Sequence, residues 1–128
     1  MENKPKSSAG GNAEQKAPKR GVDLGIYTSA VTLEHKLEQL HDGKGKEGVW
    51  NMRRLPQNLG KGETPDRLFF AADGAWRGCF RIVPEVLFNP EDEERPYSLL
   101  FDLSSWKEIP SSPVKKFRGF RYLEGMPE

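Results

Sequence analysis

Apolar and polar positions alternate in short runs along most of the chain, and one stretch departs to a helical period. Residues 22–27 put Val22, Leu24 and Ile26 at every second position, the pattern of a half-buried strand. Ala30, Leu33, Leu37 and Leu40 then recur three and four apart, which predicts an amphipathic helix over 29–42 with Glu34 and Glu38 outward. Thr28 and Ser29 are N-cap types, and Gly43 is a C-terminal stop. Strand patterning resumes over 49–54. A loop rich in Gly, Asn and Pro over 56–65 separates it from a strand over 67–72. Asp73-Gly74 is a hairpin dipeptide. The returning strand, 75–82, is predicted to set Trp76, Phe80 and Ile82 on one face and Arg77 and Arg81 on the other. Gly78 inside it predicts a bulge or a close backbone approach. Residues 85–88 read as a continuation, 97–103 as a central strand apolar on both faces, and 117–123 as the last strand.

One helix among five or six strands predicts an α+β, mainly β chain, folded as a small pseudo-barrel or strongly curved sheet. The helix would plug one end or pack on one side. Residues 1–21 carry no large apolar side chain after Met1 and are expected to be a disordered basic tail, leaving 22–128 as the domain. The length of 128 residues suits one domain rather than two.

Net charge is only +1, so no global field points to nucleic acid or membrane. The charge is unevenly spread. Residues 1–20 hold five Lys/Arg and two Glu, an acid run occupies 91–94, and Lys107, Lys115, Lys116, Arg118 and Arg121 lie toward the end. That split hints at an anionic partner on one face, against the plainer reading of a solvated surface. No apolar run reaches the length of a membrane span, and no signal peptide stands at the start. With the single cysteine, Cys79, read as a packed core thiol, a cytoplasmic location is expected. His35 and His41 are six apart and on different faces of the helix, so no metal is expected, and no cofactor.

The order of parts resembles the ASCH branch of the PUA-like superfamily, with EVE domains as cousins. The residues that carry it are Leu40-His41-Asp42-Gly43-Lys44, Arg53-Arg54-Leu55-Pro56, Pro65-Asp66-Arg67-Leu68-Phe69-Phe70 and Gly74-Ala75-Trp76-Arg77-Gly78. The resemblance spans about 22–123 and implies a PUA-like pseudo-barrel with a ligand-facing Arg at Arg53. ASCH domains show Gly-x-Lys-x-x-Glu-x-Arg and then Gly-Asp-Arg. Here Trp50, Asn51 and Met52 precede Arg53 with no Glu, Lys44 and Lys46 both compete for the Lys position, and Pro65 replaces the Gly. The missing Glu removes the general acid/base expected of the family's hydrolases of modified cytidine.

Residues 43–48 match G-x-G-x-x-G formally, but a dinucleotide fingerprint needs a strand before it and a helix after it, the reverse of the order here. Two Lys on such a loop still suit phosphate. The segment 118–123 interleaves aromatics with Arg118 and Arg121, which suits base stacking and phosphate contact, although a plain alternating strand is the simpler reading. Trp106 follows Ser104 and Ser105 in what reads as a loop after a strand, a place for a pocket aromatic. The reading favoured is therefore a non-catalytic, monomeric binding module for RNA or a modified nucleobase. Lys44, Arg53 and Trp106 are expected to converge on one cleft beside the helix. Lys46, Arg54, Trp76, Arg77, Ser104, Ser105, Arg118 and Arg121 complete the candidate binding set, with no catalytic residue named. A protein-interaction module is the alternative, and a nucleoside hydrolase using Lys44 or Lys46 is the least favoured.

Overall fold

A computed structural model describes residues 21–42 and 47–127. The tail over 1–20 and the Gly-Lys loop over 43–46, with Lys44 and Lys46, lie outside the described residues. The elements are β1 (Asp23–Tyr27), α1 (Ala30–Asp42), β2 (Glu47–Met52), β3 (Arg67–Ala72), β4 (Ala75–Phe88), β5 (Tyr97–Pro113) and β6 (Phe120–Tyr122). They form one six-stranded sheet in the order β2-β5-β4-β3-β1-β6, curled into a half-barrel. The mainly β, α+β class and the small pseudo-barrel predicted from the pattern are what the chain adopts. β1 runs parallel to β3, and the remaining neighbours are antiparallel.

Local chemistry explains the framework. Ser29 caps α1, its Oγ accepting from the Thr32 N–H at 3.0 Å. Asp73 and Gly74 have φ of 53° and 81°, the left-handed pair that a two-residue hairpin needs, and β3 and β4 pair across them. The α1 face of the sheet buries Leu24, Ile26, Leu68, Phe70, Phe80, Ile82, Leu99 and Phe101, with Leu33 of the helix. Phe70 meets Trp50, Phe80 and Phe101 edge-on at 5.5–5.7 Å, which joins four strands through one aromatic cluster. The opposite face buries Phe69, Ala71, Trp76 and Cys79 beneath the C-terminal segment, with Val114, Phe117 and Leu123 laid over them. Burial pushes the Cys79 thiol up, as expected for an inert core cysteine.

Two features differ from the pattern-based expectation, the reach of β5 and the facing of Trp76. The continuation read over 85–88 is present: β4 runs on past Ile82 to Phe88, with Val83, Pro84 and Glu85 bulged opposite Leu100. A bulge is where a strand tolerates proline. β5 continues ten residues past Leu103 to Pro113. Between its Arg81–Asp102 and Cys79–Lys107 pairings, four residues of β5 face only Phe80. Ser104 and Ser105 occupy that bulge. The Asp102 carboxylate accepts from the Ser104 N–H and Oγ, and Ser105 Oγ accepts from the Arg81 N–H at 2.6 Å. The polar run thus replaces ladder bonds instead of ending the strand. Finally, Arg77 bulges between the Phe70–Gly78 and Ala71–Trp76 pairs, so Trp76 is turned to the face opposite Phe80 and Ile82. The bulge or close approach read from Gly78 is present on both counts.

Lys36 seals the junction of α1 with the edge strand β2. Its ammonium donates to the Val49 carbonyl at 3.2 Å and lies 5.6 Å from the ring centres of both Trp50 and Phe101. Burial lowers its pKa below the usual lysine value. The unfolded chain therefore holds more protons than the folded one between that lowered pKa and the ordinary one, and stability rises with pH across this window. Lys36→Met keeps the apolar stem and removes the titration. The difference in urea midpoint between the two proteins should shift in favour of the lysine protein on going from pH 7 to pH 10. A pH-independent difference would show that the ammonium is not desolvated.

Candidate binding clefts

The first cleft opens between α1 and the distal half of β5 and has a volume of about 270 Å³. Ala30, Leu33 and Leu37 form its helical wall, Ala72, Trp106 and Ile109 its sheet side, and Glu34, Arg77, Glu108 and Ser111 its polar lining. Trp106 is positioned by two contacts. Its ring packs on Phe80 at 4.8 Å between centroids, and it crosses directly over Gly78, where a Cβ would come within 2.6 Å of the indole and of the Lys107 carbonyl. Only glycine lets the strand and the indole approach this closely. The side chain is half-buried, packed against the core while also bordering the cleft.

The second, larger cleft is a groove of about 930 Å³ lined by the loop over 60–66, the bend of β4 and the start of β2. Ile82, Val83, Pro84 and Pro65 supply its apolar lining, and Glu47, Glu63, Asp66 and Asp102 its acidic groups. Asp102 pairs with Arg81 at 3.1 Å. The hydroxyl and N–H of Ser104, then Arg81, hold its carboxyl below the usual range.

The candidates from sequence are divided by this geometry. Trp106 and Arg77 border the small cleft beside the helix. Trp76 borders it too, but its ring is turned to the other face, against Phe69, Phe117 and Gly25. Ser104 lines the groove instead, and Ser105 is taken up by the β5 bulge. Arg53 does not join Trp106. It follows Met52, which pairs with Tyr97 at the start of β5, and Trp106 lies nine residues further along that strand. Arg53 and the neighbouring Arg54 are exposed at that far end and line neither cleft. The physical cause is the length of β5, which a reading that ended at Leu103 made too short. Arg118 is exposed just before β6 and Arg121 is exposed within it, with the Arg121 guanidinium over Phe117 at 4.2 Å.

Sequence reasoning passed over Glu34, Glu108 and Ser111. The helical period does place Glu34 near Leu33 and Leu37, but Glu108 and Ser111 come into view only once β5 is known to continue. It also left Asp66 and Arg67 without a role. Asp66 is 4 % exposed and accepts main-chain N–H bonds from Val22 and Gly60 at 2.8 and 2.7 Å. Arg67 grips Asp23 with two bonds of 2.9 and 2.7 Å and donates to the Pro127 carbonyl at 2.6 Å. Among the described residues no group of His, Cys, Asp and Glu is arranged to hold a metal, and no helix is long and apolar enough to cross a membrane. No protein-family model, curated protein or solved structure matches this chain.

Proposed function

We propose that this chain is a PUA-like domain of the ASCH/EVE kind that binds a nucleobase, free or within RNA, in the cleft between α1 and β5. The observation that carries the reading is Trp106, an indole fixed over Gly78 and against Phe80 that also borders a small concave site beside the helix. The volume of about 270 Å³ suits a planar ring more than a large ligand. Leu33, Leu37 and Ala72 offer apolar walls, while Glu34 and Glu108 offer hydrogen-bond acceptors and Arg77 donors for a base edge. With two carboxylates against one guanidinium, the cleft favours a base over a phosphate. Affinity for a nucleoside should accordingly change little with salt, unlike a binding mode built on phosphate contacts.

The test uses the full chain with nucleosides and short single-stranded RNA homopolymers, followed by calorimetry and by the Trp106 indole N–H resonance. Trp106→Ala should weaken binding by about 1–3 kcal/mol per stacked base, with circular dichroism unchanged. Glu108→Gln should weaken it too, and Arg53→Ala should leave it untouched. A folded Trp106→Ala protein with undiminished affinity, or a parent protein that binds none of these probes, would sink the reading.

A further inference from the structure

The nucleobase reading leaves the larger groove unused, and this groove has an acidic rim over an apolar floor. Pro65, Ile82, Val83 and Pro84 form the floor. Two of its acidic groups are already committed: Asp66 to the Val22 and Gly60 N–H groups, and Asp102 to Arg81 and Ser104. Glu47 and Glu63 are exposed at the rim, and among the described residues neither has an ion-pair partner.

We propose that the occupant of this groove is the chain's own segment 15–20, Gln-Lys-Ala-Pro-Lys-Arg. Three observations converge on it. The first is where that segment meets the domain. Gly21 is buried, its N–H donates to Thr64 Oγ1 at 2.6 Å, and a Cβ on it would come within 2.5 to 2.8 Å of Thr64, Pro65 and Asp66. Those three residues are a wall of the groove, so residue 20 starts at its edge. Gly21 therefore belongs to the fold and not to the tail. The second is charge. Lys16, Lys19 and Arg20 bring three cations within five residues, opposite Glu47 and Glu63. The third is reach. Five residues of extended chain span about 17 Å, which brings Lys16 within range of the groove. Ala17 precedes Pro18 in the sequence, and the steric preference of a residue before proline is for extended backbone, the shape that suits a groove.

Covalent attachment at Gly21 makes this an intramolecular encounter, with an effective concentration of order mM for a short connection. An outside ligand with basic residues would bind only by displacing the chain's own segment.

Zero-length carbodiimide coupling of the full chain, as a mixture of ¹⁵N-labelled and unlabelled protein, tests this by mass spectrometry. Lys16 and Lys19 should couple to Glu47 or Glu63, within one isotopic species, and 1 M salt should reduce the yield several-fold. Glu47→Gln with Glu63→Gln should abolish these links while leaving the nucleoside affinity of the α1–β5 cleft unchanged. Links spread evenly over surface carboxylates including residues 91–94, links joining the two isotopic species, or no links from Lys16 or Lys19 would each overturn the proposal. None of these outcomes bears on the nucleobase reading, whose own test is Trp106.

Discussion

Asp23→Ala, with Arg67 left in place, is expected to destabilise the domain by about 3–5 kcal/mol, the usual cost of breaking a buried ion pair from one side. Asp23 is 5 % exposed on β1, and Arg67 faces it from the parallel neighbour β3, where the two residues are in register. The guanidinium meets the carboxylate with two bonds, Nε at 2.9 Å and Nη2 at 2.7 Å, a fork that fixes both position and plane. Its remaining Nη1 ties down Pro127, and its flat face lies 4.9 Å from the Phe69 ring centre. Removing the carboxylate takes away the two charge-assisted bonds that hold Arg67 at a junction of β1, β3 and the C-terminal segment. Since small domains are stable by only about 5–15 kcal/mol, the loss is a large share of the total. Urea denaturation should show a lower midpoint at unchanged slope, and a thermal midpoint lower by more than ten degrees follows from about 4–8 °C per kcal/mol. Replacing both partners, Asp23→Leu with Arg67→Met, should recover much of the loss, because the desolvation of both charges disappears together. A single-mutant loss below about 1 kcal/mol would mean that the pair is solvated and does not hold the β1–β3 junction.

Gly78→Ala is the second large effect, and it connects packing to the proposed cleft. The new methyl would sit 2.6 Å from the Lys107 carbonyl and 2.6 Å from the Trp106 indole. Side-chain rotation cannot relieve the first clash, because the atom is main chain of the neighbouring strand. The second pushes the indole out of its seat on Phe80 and toward the cleft between α1 and β5. Overpacking of this kind costs about 1–3 kcal/mol. The expected result is a moderate fall in urea midpoint together with a loss of nucleoside affinity larger than any surface substitution produces. Gly74→Ala serves as the comparison. It strains a turn at φ 81° with nothing within 4 Å, so it should reduce stability and leave affinity intact. Equal affinity in the Gly78→Ala and parent proteins would show that the position of Trp106 does not matter to binding.

The Asp-Arg pair that helped suggest a PUA-like ligand-binding domain serves the framework here. Asp66 accepts two main-chain N–H bonds and Arg67 fastens β1. Both side chains are committed to holding the chain, although Asp66 also lines the larger groove.

Local pattern alone determined a good deal. The period of three and four at Ala30, Leu33 and Leu37 specifies the helix, Ser29 its start, and Asp73-Gly74 the hairpin, because each depends on residues close together in the chain. A short apolar run over 67–72 and alternation over 75–82 likewise give strands whatever they pair with. The mainly β class with one helix follows from these pieces. What alternation cannot carry is the count of residues on the partner strand. One extra residue at Arg77 turns Trp76 to the other face, and four residues of β5 opposite Phe80 keep a strand going through a Ser-Ser run that reads as its end. Those bulges decide that Trp106 lies on a strand over Gly78, that Arg53 stands at the opposite end of β5, and that Glu108 and Ser111 share a cleft with α1. Each of those juxtapositions joins residues far apart in sequence through ladder register, and register is settled only when the strands pack.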